Sequence, residues 1–224
     1  MVVVATLFLL LAATTHAAPI PVSGLLGALQ NAAAGVLGGG GAKATGQPVN
    51  AGSPAYSVLF APAAPQSATD AYANFANHVY GVSASILGMS SATNTDQIGM
   101  LANIGYSHEA LESIEATKMA GVAGAAGAAS IQVLQDNTPC ILNGMKNVIA
   151  NSTPANALLV SQQMSTIRDA LILPNILALG QASNAANLVQ FPPTGPALGQ
   201  GPVAVQTSGS AQILQAQQAL NCAK

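Results

Sequence analysis

Two histidines and one glutamate are the residues whose types and spacing come nearest to a chemical site. His78 and His108 fall on successive predicted helices, at similar distances from the turn between them, and Glu112 lies one helical turn beyond His108. In an antiparallel helix pair the imidazoles can meet, and imidazole with carboxylate suits zinc or copper. The alternative is two half-buried histidines that bond neighbours or solvent. A metal site is therefore a hypothesis, and we predict no cofactor.

Catalytic motifs do not accompany these residues. The sequence lacks a phosphate-binding glycine loop, a CxxC pair, a nucleophile elbow and an HExxH motif. The segment HEALE at 108–112 begins like the last of these but has no second histidine. No spacing of Ser, His and Asp supports a catalytic triad. We therefore predict that the protein is not an enzyme.

Methionines on predicted apolar helix faces raise a second kind of site, for an apolar ligand. Flexible thioethers adapt to irregular cavities, although they more often fill gaps in a packed core. The residues that would line such a ligand site are Met89, Leu101, Met145, Met164 and Ile167.

The only two cysteines, Cys140 and Cys222, predict a disulfide in an extracellular chain, with free thiols or intermolecular pairing as the alternatives. Asn151-Ser152-Thr153 is an acceptor sequence for N-glycosylation in a predicted turn between helices. Pro154 follows it directly and lowers the expected occupancy of Asn151.

The N-terminus predicts the compartment. Residues 2–13 are apolar and uncharged, a run too short for a membrane span of roughly 20 residues. The run fits the apolar region of a secretory signal peptide, although no Lys or Arg precedes it. We predict cleavage after Ala17 and a secreted, extracellular protein without a transmembrane segment in the mature chain.

Composition narrows the class of partner. Only 5% of the residues are charged, against roughly a quarter in ordinary soluble domains. Hydrophobic residues make up 50% and aromatic residues 4%, and the net charge is -2. Electrostatic capture of nucleic acid or of an anionic membrane therefore has no support. A weakly charged surface predicts adsorption to apolar interfaces.

Apolar periodicity places the elements that must position these residues. Ten of the twelve charged residues lie between Ser67 and Val189, which locates the folded core. Steps of three and four residues predict a first helix buried along Tyr72, Phe75, Val79, Val82, Ile86 and Met89. A second helix, starting near Thr95, is predicted to bury Ile98, Leu101, Gly105, His108 and Leu111, widened by Ile104 and Ile114. Its solvated face would carry Glu109, Glu112, Glu115 and Lys118.

Later helices have start signals of one type. Thr138-Pro139 and Thr153-Pro154 each predict a helix that opens with a Thr cap and Pro in its first position. Pro174 is predicted to end or kink the helix that contains it. Residues 121–127 are either a close-packed helix or a connector. A last short helix is predicted over residues 210–222.

The predicted fold is all-α: an antiparallel bundle of four to six helices between flexible arms rich in Gly, Ala and Pro. We divide the chain into a signal peptide (1–17), an N-terminal arm (18–66), a helical core (67–189), a Pro/Gly-rich linker (190–209) and a C-terminal helix (210–224). The two arms lack the apolar periodicity that would offset the entropy of ordering them.

Three segments resemble small secreted helical proteins of fungi: DNTPCILNGM at 136–145, NSTP at 151–154 and RDALILP at 168–174. The nearest named group is the hydrophobic surface-binding and cell-wall galactomannoprotein family. The resemblance implies an all-α bundle, an extracellular or cell-wall location and binding of apolar surfaces or lipids. The long arms and the cysteine pair depart from that group, and no ligand residues carry over.

The sequence therefore predicts a non-enzymatic secreted protein, associated with a surface or cell wall, that binds an apolar surface, a lipid or a cell-wall component. One alternative is a secreted effector that binds a host protein. The other is a metal-binding helical protein that uses His78 and His108.

Overall fold

The computed structural model of the chain describes residues 67–194 and 211–222. The helices are α1 (Ala68–Ser91), α2 (Thr95–Ala123), α3 (Ala128–Ala150), α4 (Pro154–Ile167), α5 (Leu173–Ala182) and α6 (Ala211–Ala219). A 3₁₀ turn, Gly124–Gly127, joins α2 to α3, and a π-helical turn, Arg168–Ile172, joins α4 to α5. The described ranges contain no strand, which confirms the all-α class. The predicted signal peptide, the N-terminal arm and linker residues 195–209 lie outside them.

Capping residues begin the first two helices, and α2 starts at Thr95 as predicted. The Ser67 hydroxyl accepts a hydrogen bond from the Asp70 amide of α1, and the Asn94 side chain accepts one from the Gln97 amide of α2. Each bond satisfies an amide that has no partner inside its helix. The six residues predicted to form the buried side of α1 are all buried.

The three-residue turn between α1 and α2 makes them an antiparallel pair, as predicted. Gly81 of α1 lies against His108 of α2, and Gly88, further along α1, lies against Leu101, earlier in α2. Contacts that advance along one helix while retreating along the other define antiparallel packing. The pair places residues 78 and 108 next to each other.

The predicted solvent face of α2 is wrong in its C-terminal half. Glu109 and Glu112 are 0% and 3% exposed, whereas Leu111 and Ile114 are 42% and 37% exposed. Glu115 is buried as well. The buried side of the helix runs through Ile98, Ala102, Gly105, Glu109, Glu112, Ala116 and Met119. Periodicity of apolar residues misses it because two glutamates occupy its middle, where a buried arginine compensates them.

The predicted helix start at Thr138-Pro139 is also wrong. α3 begins at Ala128, eleven residues before the predicted first helical residue, and Pro139 lies inside it. Proline removes one backbone hydrogen bond from a helix interior. Packing of Leu134 and the long buried stretch after Asn137 outweighs that loss. The Ala/Gly run before α3 is mostly helical, broken where Gly124 adopts a positive φ of 55°.

Two predictions, one for the start of α4 and one for the effect of Pro174, are confirmed only in part. α4 begins at Pro154 after Thr153, but the Thr153 side chain makes no capping hydrogen bond. At Pro174 the chain stays helical: α5 runs on to Ala182, and the backbone adapts through the preceding π turn. The apolar pattern beyond Ala182 belongs to a non-helical segment.

That segment, residues 183–194, runs along α1. The Tyr72 hydroxyl donates a hydrogen bond to the Val189 carbonyl (2.9 Å) and accepts one from the Val189 amide (3.1 Å). The Phe191 ring packs against the rings of Tyr72 and Tyr80. The Thr194 amide then donates to Asp169 in the π turn. These contacts order a stretch of chain that has no regular secondary structure.

The C-terminal helix α6 is attached to the core by the predicted disulfide. Cys140 and Cys222 are bonded, with their Cα atoms 5.2 Å apart. The Asn143 side-chain amide, on α3, donates to the carbonyls of Leu220 (3.0 Å) and Asn221 (3.3 Å) just after α6. α6 buries Ile213 and Ala216. Among the described helices, none combines the length and the apolarity needed to cross a membrane.

Candidate functional site

A buried cluster of three charged side chains joins α1, α2 and the π turn. Arg168 Nη1 donates to Glu109 Oε2 at 2.9 Å, and Nη2 donates to Glu112 Oε1 at 2.7 Å. Nη2 also lies 3.2 Å from the Val79 carbonyl oxygen of α1. All three charged side chains are inaccessible or nearly inaccessible to solvent. The Arg168 guanidinium, in the π turn, thus binds both α1 and α2.

Local structure explains how each side chain reaches the cluster. Glu109 and Glu112 are three residues apart on α2, so they share one face of the helix. Arg168 is the first residue of the π turn, where α4 ends. A π turn widens the helix by one residue per turn and is frequent at functional sites. Arg168 sits between the apolar residues Ile167 and Leu171, which are buried in the same core.

The pKa values of the two glutamates, Glu109 and Glu112, are shifted to different extents. Burial raises the pKa of Glu109 well above its ordinary value, and the nearby charge of Glu112 raises it further, while Arg168 opposes both effects. Burial also raises the pKa of Glu112, and the Arg168 charge and hydrogen bonds counteract it. Two ionised carboxylates would leave the cluster with one excess negative charge. Glu109 is therefore the group that holds a proton more readily than an exposed glutamate does.

The histidine pair predicted from the sequence forms. The Nδ1 atoms of His78 and His108 lie 3.0 Å apart. The centroids of the two rings are 5.3 Å apart. This distance is longer than the Nδ1–Nδ1 distance by about the sum of the two ring radii. The two nitrogens therefore point at each other, as a hydrogen-bonded pair of neutral imidazoles requires.

Burial keeps both rings neutral. It lowers the pKa of His78 to about 4, with smaller contributions from the charges of His108 and Lys118. Burial also lowers the pKa of His108. In the neutral pair, one ring donates its Nδ1 proton and the Nδ1 atom of the other ring accepts it.

The predicted metal set is not assembled. His78 and His108 meet, but both oxygens of Glu112 face Arg168. The described part of the chain holds no group of three or more His, Cys, Asp or Glu side chains arranged to hold a metal ion. A metal ion also needs both ring nitrogens directed at itself rather than at each other.

The five residues predicted to line an apolar ligand lie in the core. Met89, Met145, Met164 and Ile167 are fully buried, and Leu101 is half-buried over Gly88. The thioether of Met145 fills the space above Gly105, and that of Met164 fills the space above Gly144. The methionines thus contact glycines of neighbouring helices, which is how flexible side chains fill gaps between closely packed helices.

The predicted glycosylation site is accessible. Asn151 and Thr153 are exposed in the turn between α3 and α4. The Asn151 backbone carbonyl accepts a hydrogen bond from the Asn156 side chain. Glycosylation of Asn151 remains a prediction.

Sequence reasoning missed Arg168, Glu109 and Glu112 as a unit. One signal was available: Met164, Ile167, Leu171 and Ile172 surround Arg168 at helical spacing, although Asp169 follows it directly. An arginine in such a run needs a buried anion. The partners, 59 and 56 residues earlier, leave no local trace in the sequence.

Fold and site together define a helical protein held by a buried ion cluster and a disulfide. Comparison of the chain with protein-family models, with curated proteins and with solved structures finds no match. The resemblance to hydrophobic surface-binding proteins therefore stays a prediction.

The two sets of shifted groups predict a stability optimum in pH. A raised Glu109 pKa contributes stability that is complete below the unfolded-state pKa and is lost as pH rises through the folded-state pKa. A His78 pKa lowered from 6.5 to about 4 contributes stability that is complete above pH 6.5 and is lost as pH falls toward 4. We expect the melting temperature, measured by circular dichroism, to fall on both sides.

Glu109→Gln tests the alkaline side of this profile, because glutamine mimics the protonated carboxyl group. We expect the variant to lose most of the decline above neutral pH while keeping the decline at acidic pH. Glu112→Gln is the control and should lower stability at every pH, since Glu112 accepts bonds from both Arg168 amino groups. An unchanged alkaline decline in Glu109→Gln would contradict the assignment.

Gly81→Ala tests the packing that holds the histidine pair. A Cβ atom at residue 81 would lie 2.6 Å from the His108 ring, so the ring must move. We expect a loss of about 1–2 kcal/mol in urea unfolding, because overpacking exceeds the helix-propensity gain of alanine. Gly121→Ala, in the same helix pair but facing open space, should instead be neutral or stabilising. Equal effects of the two substitutions would argue against tight packing at His108.

Proposed function

We propose that this protein is secreted, has no enzymatic activity, and associates with apolar extracellular surfaces through a weakly charged helical bundle. In this proposal the bundle belongs to the mature chain that remains after cleavage of the signal peptide. The proposal combines the secretion signal and composition with one structural observation, the distribution of charge between core and surface.

The proposal rests on the small number of charged side chains at the surface. Of the ten charged side chains in the described ranges, Glu109, Glu112, Glu115 and Arg168 are buried. Six charged residues remain at least partly exposed: Asp70, Asp96, Lys118, Asp136, Lys146 and Asp169. An ordinary domain exposes several times that density of charge. Few charges leave the surface weakly hydrated, so contact with an apolar phase costs little desolvation.

Exposed apolar side chains add to the same tendency. Eight large hydrophobic residues in the described ranges are more than a third exposed: Met100, Leu111, Ile114, Val122, Leu158, Leu159, Leu188 and Leu214. Single exposed leucines are common on protein surfaces. Here the exposed hydrophobic residues lie on a surface with few charged side chains. Such a surface favours contact with apolar partners.

The disulfide and the buried cluster suit a protein that must survive on such a surface. Adsorption draws core residues outward toward the apolar phase, and this competes with folding. Arg168 fixes α2 to α1 and the π turn, and the Cys140–Cys222 bond fixes α6 to α3. Both restraints oppose opening of the helices.

Adsorption of the mature secreted protein to beads tests the proposal. We expect binding to alkyl-coated beads that strengthens in ammonium sulfate, since excluded salts favour apolar burial. We expect little binding to bare anionic or cationic beads at the same pH and ionic strength. Binding only to the charged beads, or to none, would refute the proposed function.

A further inference from the structure

The exposed apolar residues of α2 fall on a single line. Met100, Ile104, Leu111, Ile114 and Val122 recur at helical spacing, with only Ser107 and Lys118 between them. We call these seven residues the α2 stripe. Met100, Leu111, Ile114 and Val122 are 49%, 42%, 37% and 54% exposed. The stripe covers 22 residue steps, or about 33 Å of helix.

The buried cluster accounts for the outward direction of the stripe. Glu109 and Glu112 occupy the buried side of α2 and are held there by Arg168. Leu111 and Ile114 must then point the other way, because residues one or two positions from a buried residue lie on another face. α2 is thus an amphipathic helix with charge turned inward and apolar side chains turned outward. Its inward charges are neutralised within the protein.

Charge in the stripe favours a neutral occupant. Lys118 is its only ionisable residue, and the Lys118 ammonium group is paired with Glu115 Oε1 at 2.8 Å. A stripe that offers no excess charge has no electrostatic attraction to anionic headgroups or to an acidic peptide. An uncharged apolar phase matches it.

The area of the α2 stripe also favours an apolar surface as its occupant. Five partly exposed apolar side chains present a few hundred Å², the scale of the largest patches on monomeric proteins. A stable protein–protein interface buries about 800 Å² on each partner. A narrow straight stripe is therefore too small for a second copy alone, whereas a flat apolar surface can contact its whole length.

We infer that the α2 stripe is the face by which the protein lies on an uncharged apolar surface, with the α2 axis parallel to that surface. This inference rests on the proposed function and assigns it to one side of the molecule. The other exposed apolar residues, on α4, on α6 and in the segment along α1, are not part of the contact.

A triple variant of the stripe tests the assignment. Leu111→Gln, Ile114→Gln and Val122→Gln together replace apolar side chains by a good helix former of similar length. The matched control is Leu158→Gln, Leu159→Gln and Leu214→Gln, three side chains of similar exposure outside the stripe. Both full-length variants are compared with the wild-type protein on alkyl-coated beads, after circular dichroism confirms equal helix content.

We expect the stripe variant to bind roughly tenfold or more weakly than the wild type, because apolar area at the contact is lost. The control should bind within about threefold of the wild type. If the two variants weaken equally, or the stripe variant binds normally, the assignment to α2 is overturned and the proposed function stands. Failure of the wild type to bind overturns both.

Two further outcomes are decisive. A concentration-dependent dimer of the wild type in sedimentation, absent from the stripe variant, would assign the stripe to a second copy and overturn the apolar-surface occupant. If the triple variant loses helix content, Leu111→Gln alone serves in its place, with an expected weakening of about threefold. Normal binding by that folded single variant would count against the stripe.

Discussion

Replacing Arg168 by methionine is expected to cause the largest loss of stability among single substitutions in the described residues at neutral pH. Methionine keeps the apolar contacts of the arginine stem but leaves Glu109 and Glu112 buried without a cation. Removing one partner of a buried ion pair costs about 3–5 kcal/mol, out of a typical total stability of about 5–15 kcal/mol. Here two carboxylates lose the same partner, so the upper end of that range is expected. Urea unfolding followed by circular dichroism measures the loss.

A variant that lacks all three buried charges distinguishes the effect of charge on stability from the effect of packing. Arg168→Met combined with Glu109→Leu and Glu112→Leu removes all three charges, and we expect it to recover most of the lost stability, since apolar replacement of a whole buried cluster is often neutral or stabilising. Lys146→Met is the control for losing a positive charge, and it should cost less than about 1 kcal/mol because Lys146 is only half-buried, with its ammonium group over the Tyr106 ring. If Arg168→Met costs no more than Lys146→Met, the cluster is not what holds α2 in place.

Loss of the disulfide is expected to have the second-largest effect. Cys140 and Cys222 are separated by 82 residue steps, and closing a loop of that length stabilises by about 4 kcal/mol in the chain-entropy model. The variant Cys140→Ala/Cys222→Ala should lose most of this free energy of unfolding. Without the disulfide, α6 is held by the burial of Ile213 and Ala216 and by hydrogen bonds that include those from Asn143 and from Gln217 to Asn137. α6 should therefore exchange its amide hydrogens faster than α1 does.

Reduction provides the matching control. Dithiothreitol should lower the urea midpoint of the wild type to that of the double variant and leave the variant unchanged. The melting of α1 and α2 should remain cooperative in both, since the disulfide joins only α3 to the residues after α6. A double variant as stable as the oxidised wild type would show that the loop contributes no restraint.

Local patterns predicted much of the fold because they report local energetics. In α1 the buried residues recur without interruption, and a serine cap precedes them, so both the span and the buried side follow from the sequence. The pairing of the cysteines could be predicted without geometry, because a chain with only two cysteines allows only one intramolecular disulfide. The meeting of His78 and His108 followed from a short turn and equal distances on either side of it.

The candidate site could not be predicted in the same way. The orientation of α2 depends on whether two glutamates can be buried, and that depends on Arg168, which lies more than 50 residues later. The start of α3 depends on core packing that offsets an internal proline. In both places a local preference is overruled by contacts between distant parts of the chain.

The sequence by itself determined the helical class, the paired cysteines and the scarcity of charge, because composition and periodicity are properties of the chain. Tertiary structure alone decided which of those charges face the core, and so which apolar side chains face outward along α2. The physical reason is that burying a carboxylate is prohibitive alone and acceptable beside a guanidinium, and only the folded chain brings Arg168 to Glu109 and Glu112.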